Sequence, residues 1–260
     1  MIVVRPQVHY RKPVPGVRVF PGHALSRGLV GYWPMNEAAG ATLMEASGKR
    51  TNINGTLNSP GTGQKWEPGN FGTAIAFDGL NGNVTVPDYA EARFTADMTV
   101  SCWIRTRLVQ SNTGIVAKWT GNTGWTLVTH IASQVIFQVD DAANRAIAGI
   151  TDAVWNHIVC VRSGTTIYVY INGIEGGTDT VTTLTSTTRV IEIGSYNDTL
   201  RFDGKIDNVL LYDRALSVAE IRQLYINPFV CLIPKPGVRL NSTAVAAAAL
   251  FAQPIWYGAN

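Results

Sequence analysis

Residues Trp155 to Gly173 read WNHIVCVRSGTTIYVYING. Two runs rich in β-branched and aromatic residues flank Ser163-Gly164-Thr165, the short polar turn of a β-hairpin. Asn172-Gly173 closes the second run with a pair suited to the positive backbone angles of a tight turn. Ile167, Val169 and Ile171 share one face of that run, and Tyr168 and Tyr170 share the other. With both faces largely apolar, the hairpin is expected in the interior of a β-structure, its second face covered or partly covered.

The sequence around it has the same character. Met98–Thr106 (MTVSCWIRT) alternates cleanly as a strand. Gly114–Trp119, Gly124–Ile131, Gln134–Val139 and Arg145–Ile150 follow with short turns between them. Upstream, Leu29–Trp33 is a first strand, and Pro34 fits its end. Thr73–Phe77 and Asn83–Pro87 are expected to form a hairpin across Asp78–Gly82. Glu37–Gly72 reads as a long irregular connection with one short strand, and Asp179–Thr188 as a Thr-rich polar loop. Arg189–Gly194 and Lys205–Tyr212 are the last strands. One helix is expected: Ser217 and Glu220 make a capping box, Ile221, Leu224 and Tyr225 supply apolar spacing, and Pro228 stops it. Many short strands with turn signals predict an antiparallel two-sheet sandwich, a jelly roll in particular. The lack of alternating helices excludes a parallel α/β fold.

The ends differ from the middle. Residues 1–27 hold four prolines among short apolar pairs and basic residues, and read as an extended N-terminal arm. Residues 228–260 are proline-punctuated and apolar, and read as a C-terminal arm around a domain at 28–227. Pro15-Gly16-Val17-Arg18 is repeated as Pro236-Gly237-Val238-Arg239. Arg5 and Pro6 interrupt the apolar stretch a signal peptide needs, so the usual export route is not expected. A net charge of +3, without a dense basic cluster, does not argue for nucleic acid. The run Ala244–Ala252 is too short to span a bilayer, so no membrane partner is expected. The three cysteines, Cys102, Cys160 and Cys231, form no disulfide framework. Cys102 and Cys160 read as buried thiols, with a bridge between them as the alternative.

These residues resemble the laminin G-like, concanavalin A-like lectin/glucanase superfamily. The resemblance rests on Gly28–Trp33 with Asn36-Glu37, Ala76–Gly79, Thr99–Ile104, Trp155–Val159, Tyr170–Gly173, Phe202–Val209 and Tyr212–Leu216 leading into the capped helix. It covers about residues 28–226 and implies a two-sheet jelly roll with the Trp155–Gly173 hairpin near its centre. Such domains serve as sugar-binding modules, adhesion modules and parts of virions, so the fold alone does not assign a function.

Candidate site residues follow from chemistry and from the resemblance. Asp78 and Asp207 are candidate calcium ligands: the Gly-Asn loop after Asp78 can supply several oxygens, and the resemblance implies calcium near the rim. The competing reading makes Asp78 a turn cap and Asp207 a backbone partner. Trp119, Trp125 and Tyr196 are candidates for stacking on sugar rings, set against core packing. His157 reads as a structural residue. No catalytic residue is expected: glycoside hydrolysis needs two carboxylates, which the resemblance to family glucanases implies on one strand, and the corresponding strand here, Arg189–Gly194, carries only Glu192. Neither a GxSxG elbow nor a phosphate loop is present. The resulting expectation is a non-enzymatic virion structural protein, a capsid decoration or other surface protein attached by its arms, and the resemblance implies that the virion is that of a tailed phage. Its expected partners are the major capsid protein or other virion proteins and copies of itself. The alternative is a carbohydrate-binding or adhesion module on a tail fibre or cell surface, with a glycan as partner.

Overall fold

The computed structural model describes residues 12–13, 17–48, 52–107, 112–140 and 145–233. In chain order the strands begin with β1 (Arg18–Val19), β2 (Leu29–Trp33), β3 (Thr42–Leu43), β4 (Gly55–Leu57), β5 (Gln64–Pro68), β6 (Thr73–Asp78) and β7 (Val84–Val86). Next come β8 (Met98–Thr106), β9 (Gly114–Thr120), β10 (Thr123–His130), β11 (Gln134–Val139), β12 (Arg145–Gly149), β13 (Asn156–Ser163), β14 (Thr166–Ile171) and β15 (Ile174–Thr180). β16 (Ile191–Ile193), β17 (Ser195–Tyr196), β18 (Leu200–Arg201) and β19 (Asp203–Tyr212) precede α1 (Val218–Ile226), and β20 (Leu232–Ile233) follows it.

Two antiparallel eight-stranded sheets form the expected sandwich. One runs β15-β14-β13-β8-β19-β6-β5, with β2 also on β19; the other runs β12-β11-β10-β9-β16-β7-β4-β3. The hairpin is β13–β14, in register from Ser163–Thr166 to Ile158–Ile171. Ile167 and Val169 face the main core between the sheets, together with Trp33, Phe77, Trp125, Phe137 and Phe202. Each such side chain, once fully buried, contributes roughly 1.5–3 kcal/mol.

The other face of the hairpin is covered too. Tyr170, Val159, Val161, Leu210 and Tyr212 lie beneath a layer made by α1 and by residues 19–25 and 230–232. Ser217 caps α1, with the Glu220 side chain returning the bond to the cap's backbone. Residues 17–27, expected within the arm, do not simply extend: Val19 and Leu25 are buried in this second cluster, as is Cys231 from the other end. The cause is the apolar outer face of β13, β14, β19 and β2, which needs cover as the inner face does. β1 pairs with β20 here. Apart from Lys12 and Pro13, the rest of the expected arms lies outside the described residues. Cys102 and Cys160 occupy offset positions on β8 and β13, and all three cysteines are free and buried.

Two local expectations are corrected. β6 and β7 do not pair; β6 joins β19 and β5, while β7 joins β16 and β4. The Asp78–Gly82 turn is therefore a corner between sheets. A turn signal reports a reversal of the chain and does not reveal which strand lies beside which. Glu37–Gly72 carries three strands, β3, β4 and β5, rather than one.

Candidate functional site

β5 lies at the end of its sheet, and its residues line an opening on each side. Lys65 and Glu67 are on one face of the strand; Gln64 and Trp66 are on the other. Trp66 is partly buried against the main core, and its indole N–H donates to the Gly40 carbonyl at 2.9 Å. The ring is thus held in place at the edge. It lines an open groove of about 570 Å³ with Pro60, Gly61, Gln64, Lys65, Leu57, Gly40 and Ala41. Gln64 is 1% exposed; its Oε1 accepts from Ser59 N at 2.8 Å, whereas its Nε2 is buried with no acceptor. A buried unpaired donor costs about 1–3 kcal/mol.

On the other side is a smaller cleft of about 250 Å³, lined by Arg105, Arg107, Lys205, Thr106, Glu67, Ala76, Ala153 and Gly204. Strand register builds it: Lys65, Ala76, Lys205 and Arg105 stand opposite one another across β5, β6, β19 and β8. Gly204 has φ +149°, and a Cβ there would sit 2.3 Å from the Arg105 carbonyl oxygen, so only glycine fits. Lys205 pairs with Glu67 at 2.9 Å and Arg107 with Asp203 at 3.3 Å. Arg105 donates through Nε to the Ala153 carbonyl at 2.8 Å. The cleft is basic, with three cations lining it against one carboxylate.

The aromatic candidates are divided between core and surface. Trp125 is 1% exposed and packs on Phe94, so its ring offers no face to a ligand. The inward alternation of β10 puts it there. Trp119 and Tyr196 meet edge-on at 6.1 Å, but Trp119 is 4% exposed. Trp66 was not among the expected residues. Its signal was the alternation Gln64-Lys65-Trp66-Glu67 inside a segment read as irregular.

The two calcium candidates are not brought together. Asp78 ends β6 and pairs across the sheet with Asp203, while Asp207 lies four residues further along β19. The Asp78 carboxylate accepts from Leu80 N at 2.9 Å and Asn81 N at 2.7 Å, as a turn cap does. Burial opposes its ionisation, yet the bonds from Asn81 and Leu80 hold its carboxyl below the ordinary value. Asp207 is fully buried and ion-paired with Lys12. Burial raises its carboxyl to about 6, against the opposing pull of the Lys12 ammonium. No cluster of three or more His, Cys, Asp or Glu side chains suited to a metal occurs among the described residues.

Glu192, the one acid on its strand, is spent structurally: it accepts from Ser195 Oγ at 2.5 Å and Asp198 N at 3.0 Å. His157 is buried, bonded through Nε2 to Ser101 Oγ at 2.9 Å, and stacked with Trp103 and Tyr225. Burial lowers its pKa to about 3, so the ring is neutral.

Two antiparallel sheets, a helix-covered outer face and an aromatic groove at the sandwich edge define a lectin-like β-sandwich. The chain belongs to the concanavalin A-like lectin/glucanases superfamily, whose family model matches residues 77–222. Solved structures share the fold. The binding domain of Paraclostridial Mosquitocidal Protein 1 matches with TM-score 0.63 and 19% identity, covering 77% of this chain and 52% of that one. Domain 4 of AbnA, a GH43 extracellular arabinanase from Geobacillus stearothermophilus, solved with arabinotriose, matches at 0.57 and 16%, covering 76% and 98%. Trypanosoma rangeli sialidase matches at 0.59 and 16%, covering 78% of this chain and 33% of that one. The match thus spans about half of the mosquitocidal domain and a third of the sialidase. No curated protein sequence matches.

Proposed function

We propose that this protein is a non-catalytic recognition module that holds a glycan in the Trp66 groove. The observation that carries the reading is an indole fixed by its bond to Gly40 on the wall of an open groove. A sugar ring presents an apolar C–H face to the indole. A fixed ring loses little conformational freedom on binding. The fold shared with a toxin binding domain and an arabinanase domain solved with arabinotriose supports the same reading. Glu192, with its carboxylate engaged, is unsuited to acid catalysis. A glycan array followed by calorimetry on a hit is the test. Trp66→Ala is expected to weaken binding on the order of thirtyfold, and Trp125→Phe to leave it unchanged. An array without hits, or equal binding by Trp66→Ala, overturns the reading.

A second reading, that of a virion surface protein on a tailed phage, is favoured by the pairing of β1 with β20. Segments that continue from Arg18 and Ile233 start side by side on one face, which suits joint attachment to the major capsid protein or another virion component. Deleting residues 1–11 and 234–260, which keeps Lys12 on Asp207, should abolish incorporation into particles. Unchanged incorporation, or purified particles without the protein, refutes it.

A further inference from the structure

The Lys12 ammonium sits in a pocket made of oxygens. It donates to Asp207 Oδ1, to the Thr73 carbonyl and to the Met35 carbonyl, the last at 3.0 Å. The Lys12 side chain is 4% exposed and that of Asp207 is 0% exposed. The pocket exists because β19 changes partner here. Its first half pairs with β6 through Ile206 and its second half with β2 from Val209. The register shifts between Asp207 and Leu210, and Asn208 takes φ +54° in the bulge. Asp207 therefore lies between the end of β2 and the start of β6, where Met35 and Thr73 bring their carbonyls. Two further carboxylate oxygens, Asp207 Oδ2 and Glu37 Oε2, are buried without hydrogen-bond partners. The Glu37 carboxylate is near enough to act on the Lys12 charge.

Carboxylates plus backbone carbonyls converging on one buried cation are the donor set of a calcium site, with an ammonium in the metal's place. Asp78 cannot join this set: it ends the strand that Thr73 begins, roughly 17 Å away at 3.4 Å per residue. We propose that Lys12 is a tethered cation plug, so that docking of the N-terminal segment and calcium binding at Asp207 exclude each other. With Lys12 in place the sandwich needs no metal. With Lys12 withdrawn, the buried Asp207 charge is left uncompensated, and a divalent ion replaces the ammonium on the same oxygens. The neighbouring bond from Asn36 Nδ2 to the Pro13 carbonyl at 2.7 Å holds the segment beside the pocket.

The test uses the full chain as wild type, Lys12→Met, and Lys12→Met with Asp207→Asn, each melted in EDTA and in calcium chloride and titrated calorimetrically with calcium. Wild type is expected to show no calcium-dependent shift. Lys12→Met should melt lower in EDTA and rise by roughly 5–10 °C at calcium about a hundredfold above its Kd. The double variant should lose that rise. If Lys12→Met does not fold in EDTA, recovery on refolding with calcium supports the proposal and failure in both buffers overturns it. A folded Lys12→Met that binds no calcium, or a wild type that binds it as tightly, also overturns it.

Discussion

Replacing His157 with Gln should remove a specific acid sensitivity. In the fold this imidazole is buried among Trp103, Tyr225 and Ser101, and burial lowers its pKa from 6.5 to about 3. The unfolded chain takes up the proton near the ordinary value, so between these limits the unfolded state binds more protons and acid favours it. The stability that depends on a neutral His157 is intact above about pH 6.5 and is lost as pH falls toward 3. Each unit is worth about 1.4 kcal/mol, so roughly 2 kcal/mol is lost by pH 5. Asp207 acts oppositely: its carboxyl, raised to about 6, adds stability as pH falls from 6 toward its ordinary 3.8. The wild-type profile is a sum, and only its difference from the variant isolates His157. Urea unfolding from pH 7 to 4, followed by tryptophan fluorescence, reads that difference. Between pH 7 and 5 the wild-type midpoint should fall relative to the variant by about 1 M, for an m value near 2 kcal/mol/M. Parallel profiles for the two proteins would refute the neutral buried imidazole, whatever the variant's stability at pH 7.

Two further substitutions test the packing. Gly194 has φ +80°, and a Cβ there would lie 2.2 Å from Cε1 of the buried Phe77 ring. Gly194→Ala is expected to cost about 2–4 kcal/mol, lowering the Tm by roughly 5–15 °C, whereas Gly149→Ala, with no atom near its added methyl, should be close to neutral. Ser217→Ala removes the capping box of α1 and should cost about 1 kcal/mol, measured by chemical denaturation.

The β13–β14 hairpin, the strand at Met98–Thr106 and the capped helix were legible from sequence because each is declared by neighbours in the chain: alternation at period two, a turn pair, a cap three residues from its partner. The double cover of the hairpin followed from the same local fact, two apolar faces on one strand. The sequence therefore determined the class of fold and its central elements. It could not say that β6 and β7 part at a corner, because strand partnership is settled by residues far away. Trp125 and Trp66 show the same limit at the level of a site. Both are tryptophans on strands, but one faces between the sheets and the other lies at an edge, and only the assembled sandwich distinguishes them. Asp207 is the extreme case. Its partner is Lys12, 195 positions away, and the bulge that aims it arises where β19 exchanges β6 for β2. Local periodicity carries no information about such a meeting; tertiary packing decided it, because a charge this deeply buried is tolerated only beside another.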